Sequence, residues 1–192
     1  MPDIREAKIL IVATDGFEES ELTVPLAKLK QAGATVQVAS PQSRQSEDSI
    51  KGWDKTDWGR SVAVDLDVES VNPAEYHALV LPGGQINPDK LRLETKALEV
   101  IRSFLTDGKV VAAICHGPWL LVETGAVKGR TLTSYPSIKT DVVNAGGNWV
   151  DEEVVADGGI VTSRNPGDLA AFVAKIIEEV TEGRHEPRRL AA

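Results

Sequence analysis

The chain has 192 residues, 42% of them hydrophobic, enough apolar sequence for the core of one globular domain. Its net charge of −8 excludes the clustered-cation surface that nonspecific nucleic-acid or anionic-membrane binding requires, while a single cysteine excludes an internal disulfide. Three scattered histidines (His77, His116 and His185) form no zinc-type ligand set, so neither a metal nor a cofactor is implied.

The N-terminal segment Met1 to Glu6 lacks a secretion-signal pattern and no apolar run reaches membrane-spanning length, which points to a cytoplasmic protein with a free thiol. Lys8 to Ala13 reads as a short buried strand ending at Thr14-Asp15-Gly16-Phe17. Glu18-Glu19-Ser20-Glu21 then opens a helix with apolar positions Leu22, Leu26 and Leu29, and acids in the first turn suit the helix dipole. Gly33 stops that helix before a strand over Thr35 to Ser40, a βαβ unit with parallel strands and a right-handed crossover.

Pro41 to Arg60 is polar and irregular, with Trp53 and Trp58 flanking Asp54 to Asp57, and reads as a surface excursion or hairpin on the sheet edge. The alternation Val62, Val64, Leu66, Val68 predicts one half-exposed strand. Asn72-Pro73-Ala74-Glu75 has a cap, a proline and an acid in the order that starts a short helix. Ala78 to Leu81 is a buried strand running into Pro82-Gly83-Gly84, and Glu94 to Thr106 is helical.

The apolar run Val110 to Ile114 predicts a strand buried on both faces, followed by Cys115-His116-Gly117-Pro118 and a second apolar stretch with helical spacing. A cysteine on so sharp a strand-to-helix turn has the geometry of a nucleophile elbow, where the positive helix end pushes the sulfur toward thiolate. The competing reading is a buried structural cysteine. Farther on come a strand over Thr131 to Thr133, a short helix over Ile138 to Asn144, a hairpin around Asp157-Gly158-Gly159, and an amphipathic helix from Asp168 to Val180. Residues 1–182 make one α/β domain, and the charged segment from Gly183 to Ala192 reads as a loose tail.

Strands alternating with helices predict a flavodoxin-like three-layer α/β/α sandwich over a mostly parallel sheet, with ligand sites beyond the carboxyl ends of the strands. Asp15 to Glu18, Gly83-Gly84 and Cys115 all fall at that edge, which favours a reactive thiol. The backbone N–H groups of Gly83, Gly84 and His116 are candidates for an oxyanion hole, although Gly-Gly alone is a plain turn. A carboxylate beside a thiolate raises both pKa values, so Glu18, if it faces Cys115, should be protonated and donate to the sulfur. Decoration of a helix start is the simpler account of Glu18. His116 is the histidine nearest the nucleophile, and a tight elbow lets sequence neighbours approach.

Four motifs together resemble the PfpI family of intracellular proteases and general stress proteins, in the superfamily of the Parkinson-associated deglycase. They are Ala112 to Pro118, Ala78 to Gly84, Gly16 to Leu22 and Thr133 to Pro136, in register from about Lys8 to Val180. The resemblance implies a class I glutamine amidotransferase-like fold, Cys115 as nucleophile, His116 as its partner and Glu18 as the protonated acid. It also implies a homo-oligomer in which an acid from a neighbouring subunit completes a triad near the interface. The matching residue is Asp89, shorter than the usual glutamate and set in a loop one residue longer. Tyr135 stands where the deglycase branch has a histidine, which places the chain on the PfpI side. The expected activity is cysteine-dependent, cofactor-free hydrolysis of reactive carbonyls such as methylglyoxal or early glycation adducts. A cysteine peptidase acting on a peptide substrate and a redox-sensing or chaperone-like stress protein that oxidises Cys115 are the alternatives.

Overall fold

In the computed structural model, which describes residues 3–188 and 190, strand β1 (Lys8–Val12) leads through a two-residue strand, β2 (Phe17–Glu18), into helix α1 (Glu19–Gln31). The chain continues through β3 (Thr35–Ser40), the hairpin of β4 (Ser49–Asp54) and β5 (Asp57–Ala63), and β6 (Leu66–Asp67). A 3-10 turn over Pro73–Glu75 follows, capped by the Asn72 side chain, which accepts from the Ala74 N–H. Then come β7 (Ala78–Leu81), α2 (Ile86–Leu91), α3 (Thr95–Thr106), β8 (Val110–Ile114) and α4 (Pro118–Glu123). The last third holds β9 (Thr131–Leu132), α5 (Lys139–Asn144), β10 (Asn148–Trp149), β11 (Val154–Asp157), β12 (Ile160–Ser163) and α6 (Leu169–Glu182).

The main sheet has the order β11-β12-β8-β7-β1-β3-β6, parallel throughout except for β11, which pairs antiparallel with β12. β7 and β8 are apolar at every position, and β1 at every position after Lys8, because both faces are covered. On β1, Leu10 and Val12 pack toward α3 with Phe104 and Ile101, while Ile9 and Ile11 pack toward α1 and α6 with Leu29 and Phe172. These are the three expected layers. β1, β7 and β8 end at one edge, which brings Asp15 to Glu18, Gly83-Gly84 and Cys115 together.

Several expectations need correction. The Trp53/Trp58 hairpin does not extend the main sheet. β4 pairs with β2, placing Trp53 opposite Glu18, and the three strands form a separate small sheet. The buried Asp15 carboxylate anchors it by accepting from the backbone N–H groups of Gln45 (2.8 Å) and Lys51 (2.9 Å). The alternation from Val62 to Val68 is split between β5 and β6, which belong to different sheets, with Val68 in a 3-10 turn. Asp65 makes the switch: its N–H donates to Val38 O and its carboxylate accepts from Val38 N–H. Side-chain alternation is blind to which strand is the partner.

The loop after Gly84 also contains an unexpected helical turn, α2, too short to show a periodic face. The tail is docked rather than loose as far as Arg188. That buried guanidinium donates to the Lys109 carbonyl (2.8 Å) and from Nε to the Gly158 carbonyl (3.0 Å), and His185 N–H donates to Gly108 O (2.8 Å). Arg189, Ala191 and Ala192 of that tail, and Met1 and Pro2, lie outside the described residues.

Candidate active site

Cys115 sits between β8 and α4 with φ at +62°, the left-handed region that side chains other than glycine rarely adopt. Such a conformation costs on the order of 1–3 kcal/mol and persists where surrounding bonds over-determine it. Here the Cys115 N–H donates to Ser163 O on β12 (3.0 Å), and its carbonyl accepts from Tyr135 N–H (2.9 Å). Gly117 completes the elbow, since a Cβ there would lie 2.6 Å from the Leu81 carbonyl. The sulfur is thereby turned into a cavity of about 420 Å3 whose wall includes Glu18, Trp53, Ile86 and Tyr135.

His116 meets the sulfur directly: Nδ1 lies 3.1 Å from Sγ. The ring stacks on Tyr135 (centroids 4.9 Å apart, 23° between planes) and meets Trp119 edge-on at 5.1 Å. Burial lowers its pKa, so at neutral pH it is an uncharged imidazole able to take a proton.

The acid beside the sulfur is Glu21, not Glu18. The Glu21 carboxyl is buried, touches the Cys115 side chain and accepts from Gly83 N–H (2.9 Å) through Oε2. Burial raises its pKa to about 8, so it carries a proton at neutral pH. Its second oxygen is buried without a hydrogen-bond partner among the described residues. Glu18 lies three residues earlier, half-buried on the cavity wall, with Oε1 accepting from Ser20 Oγ (3.3 Å) and its pKa also raised by burial.

The signal that separates the two carboxylates is helical register. α1 begins at Glu19, and its buried stripe is Glu21, Leu22, Pro25 and Leu29. Glu21 stands one turn before Pro25 on that stripe, so it points inward. Glu18 precedes the helix.

Of the candidate oxyanion donors, Gly83 is already committed to Glu21. The N–H groups of Gly84 and His116 flank the sulfur. They pull the thiol pKa down, but burial and then the Glu21 carboxyl push it up more strongly. The expected thiolate bias of a helix terminus is therefore overridden by desolvation, and Cys115 holds its proton as a thiol beside a neutral base. Asp89, the acid expected to serve the site of a neighbouring subunit, stands apart from this group in its own chain. It is exposed on α2 and lines a separate hollow with Lys90 and Trp119. Within the chain, His116 Nε2 lies 3.1 Å from Ser137 Oγ, a residue the sequence reading did not select.

The family model for the DJ-1/PfpI family matches residues 7–179. Deglycase PfpI from Pyrococcus furiosus is 46% identical over 171 residues, covering 89% of this chain and 98% of that protein. General stress protein 18 from Bacillus subtilis is 41% identical over 166 residues, covering 86% and 92%. Among solved structures, Drosophila melanogaster DJ-1beta superposes with a TM-score of 0.80 at 31% identity, covering 92% of this chain and 95% of that one.

Proposed function

The chain belongs to the DJ-1/PfpI family, and on that premise we propose that it is a stress-response enzyme that uses Cys115 to break down reactive carbonyls or their early adducts with amines and thiols. The observation that carries this reading is the Cys115 Sγ to His116 Nδ1 contact at 3.1 Å, opening on a small cavity beside a protonated carboxyl.

The chemistry follows from the protonation states. An α-oxoaldehyde places its aldehyde carbon at Sγ, and the S–C bond forms as the thiol proton passes to His116 Nδ1. The carbonyl oxygen takes that proton and becomes the hemithioacetal hydroxyl, while the Glu21 O–H and the Gly84 and His116 N–H groups steady the charge passing through the site. The remaining C–H proton then passes to the adjacent ketone carbon through an enediol while the hydroxyl proton passes to the ketone oxygen, which yields a thioester of a hydroxy acid with no external oxidant. Water then cleaves that S–C bond and restores the thiol. His116 serves each proton transfer, and Glu18 on the cavity wall is a second carrier.

The test is hydroxy-acid release from methylglyoxal by the wild-type protein and by Cys115→Ala, with casein digestion followed in parallel. The proposal expects lactate from the wild type alone. Equal lactate from both proteins would exclude it, and Cys115-dependent casein cleavage without lactate would move the assignment to a peptidase.

A further inference from the structure

The sheet edge opposite Cys115 holds a second cavity, of about 130 Å3, at the starts of β7 and β8. Its wall includes Tyr76, His77, Lys109, Val110 and Arg184, and no carboxylate side chain. Lys109 is only 2% exposed; its ammonium gives one hydrogen to the Pro73 carbonyl at 2.5 Å, with the Asp107 carboxylate farther off at 3.7 Å. His77 Nδ1 accepts from the Lys8 N–H at 3.0 Å, which fixes the ring hydrogen on Nε2 and makes that nitrogen a donor. Among the described residues, neither His77 Nε2 nor the Arg184 guanidinium has a hydrogen-bond partner. We propose that this cavity is a binding site for a phosphate group, with Lys109, His77 and Arg184 donating to its oxygens.

Three segments distant in sequence build this cavity: the turn before β7, the turn between α3 and β8, and the chain after α6. The last of these is closely seated. His185 N–H donates to Gly108 O at 2.8 Å, and a Cβ on Gly108 would lie 2.1 Å from the His185 carbonyl oxygen. The family match ends at residue 179, so Arg184 belongs to a part of this chain outside it. In a chain of net charge −8, cations gathered in a cavity without a carboxylate are a local exception. The acids nearby do not fill it: Glu75 pairs with Lys8 at 2.8 Å, and Asp107 stands beyond hydrogen-bond reach of Lys109. Burial lowers the Lys109 pKa, Asp107 opposes that shift and the Arg184 charge adds to it. An anion between the two cations relieves their repulsion and supplies the counter-charge that burial withholds. A carboxylate offers two oxygens to these three donor groups, whereas a phosphate monoester offers three.

Inorganic phosphate and methyl phosphate are titrated calorimetrically into the full chain at constant ionic strength, with chloride as the balancing anion. The wild type should bind phosphate saturably at one site, and Arg184→Gln should bind it about tenfold more weakly. Tighter binding of methyl phosphate assigns the site to a phosphomonoester and tighter binding of inorganic phosphate to the free anion; either supports it. Arg184 is exposed, so its replacement leaves the core intact. The urea midpoint and the rate of Cys115 alkylation by iodoacetamide, both measured without phosphate, verify that the variant is folded. Added phosphate should then raise the wild-type midpoint and raise that of Arg184→Gln clearly less, because a ligand of the folded state stabilises it by mass action. An equal rise in both proteins is the general effect of phosphate on the solvent and overturns the proposal. Absence of saturable binding, or equal affinity in Arg184→Gln, overturns it as well.

Discussion

Glu21 gives the sharpest quantitative test, because its carboxyl is buried against Cys115 and Gly83. Its pKa rises from 4.5 to about 8 in the folded protein, chiefly through desolvation. The folded state therefore binds a proton that the unfolded chain has released between those values, and stability must fall as pH climbs through that window. Below 4.5 both states are protonated and the stabilisation is complete; above about 8 both are ionised and it is gone. At 1.36 kcal/mol per unit, a rise of roughly 3.5 units corresponds to about 5 kcal/mol. Glu21→Gln keeps the shape and an oxygen for the Gly83 N–H but cannot titrate. Urea unfolding of both proteins, from about pH 5 to about pH 8, should show wild-type stability declining by several kcal/mol relative to the variant. Glu18 also has a raised pKa and contributes its own slope, but it is present in both proteins, so the difference between the curves isolates Glu21. Parallel curves would refute the assignment of a buried, protonated Glu21.

Three further variants probe separate parts of the account. Gly83→Ala should destabilise the fold by about 1–3 kcal/mol in urea unfolding, because the new Cβ would lie 2.6 Å from Glu21 Oε2 and 2.7 Å from the Cys115 Cβ. Arg188→Ala leaves the Lys109 and Gly158 carbonyls without a donor at the far end of the sheet. It should lower stability by about 1–3 kcal/mol while leaving the alkylation rate of Cys115 unchanged. Asp89→Asn tests the acid expected from a neighbouring subunit: a triad shared between subunits predicts slower alkylation near neutral pH, and an unchanged pH profile would remove Asp89 from the site.

The layers and the elbow were legible because they rest on short-range patterns. Apolar runs at β1, β7 and β8 can only be strands covered on both faces, and Cys115 between such a run and Gly117-Pro118 has to turn sharply. What the sequence hid depends on register or distant partners. Glu18 and Glu21 are equally acidic and equally near the helix start. Which one meets the sulfur is decided by the 3.6-residue period of α1, with Pro25 and Leu29 marking the inward face. Ser137 reaches the site from the 3-10 turn Pro136–Ile138 and Trp53 from β4, so no local spacing announces them. The thiol's protonation is hidden for a related reason: the helix terminus is visible in sequence, whereas the desolvation that outweighs it comes from the surrounding fold.

The central claim is that carbonyl breakdown runs through a covalent bond to Cys115. Rapid quenching during a single turnover of methylglyoxal, followed by intact mass and peptide mapping, tests it most directly. A substrate adduct confined to Cys115 should form and then decay at the rate at which lactate appears. Lactate formed with no adduct on Cys115, or formed equally well by Cys115→Ala, would contradict the account.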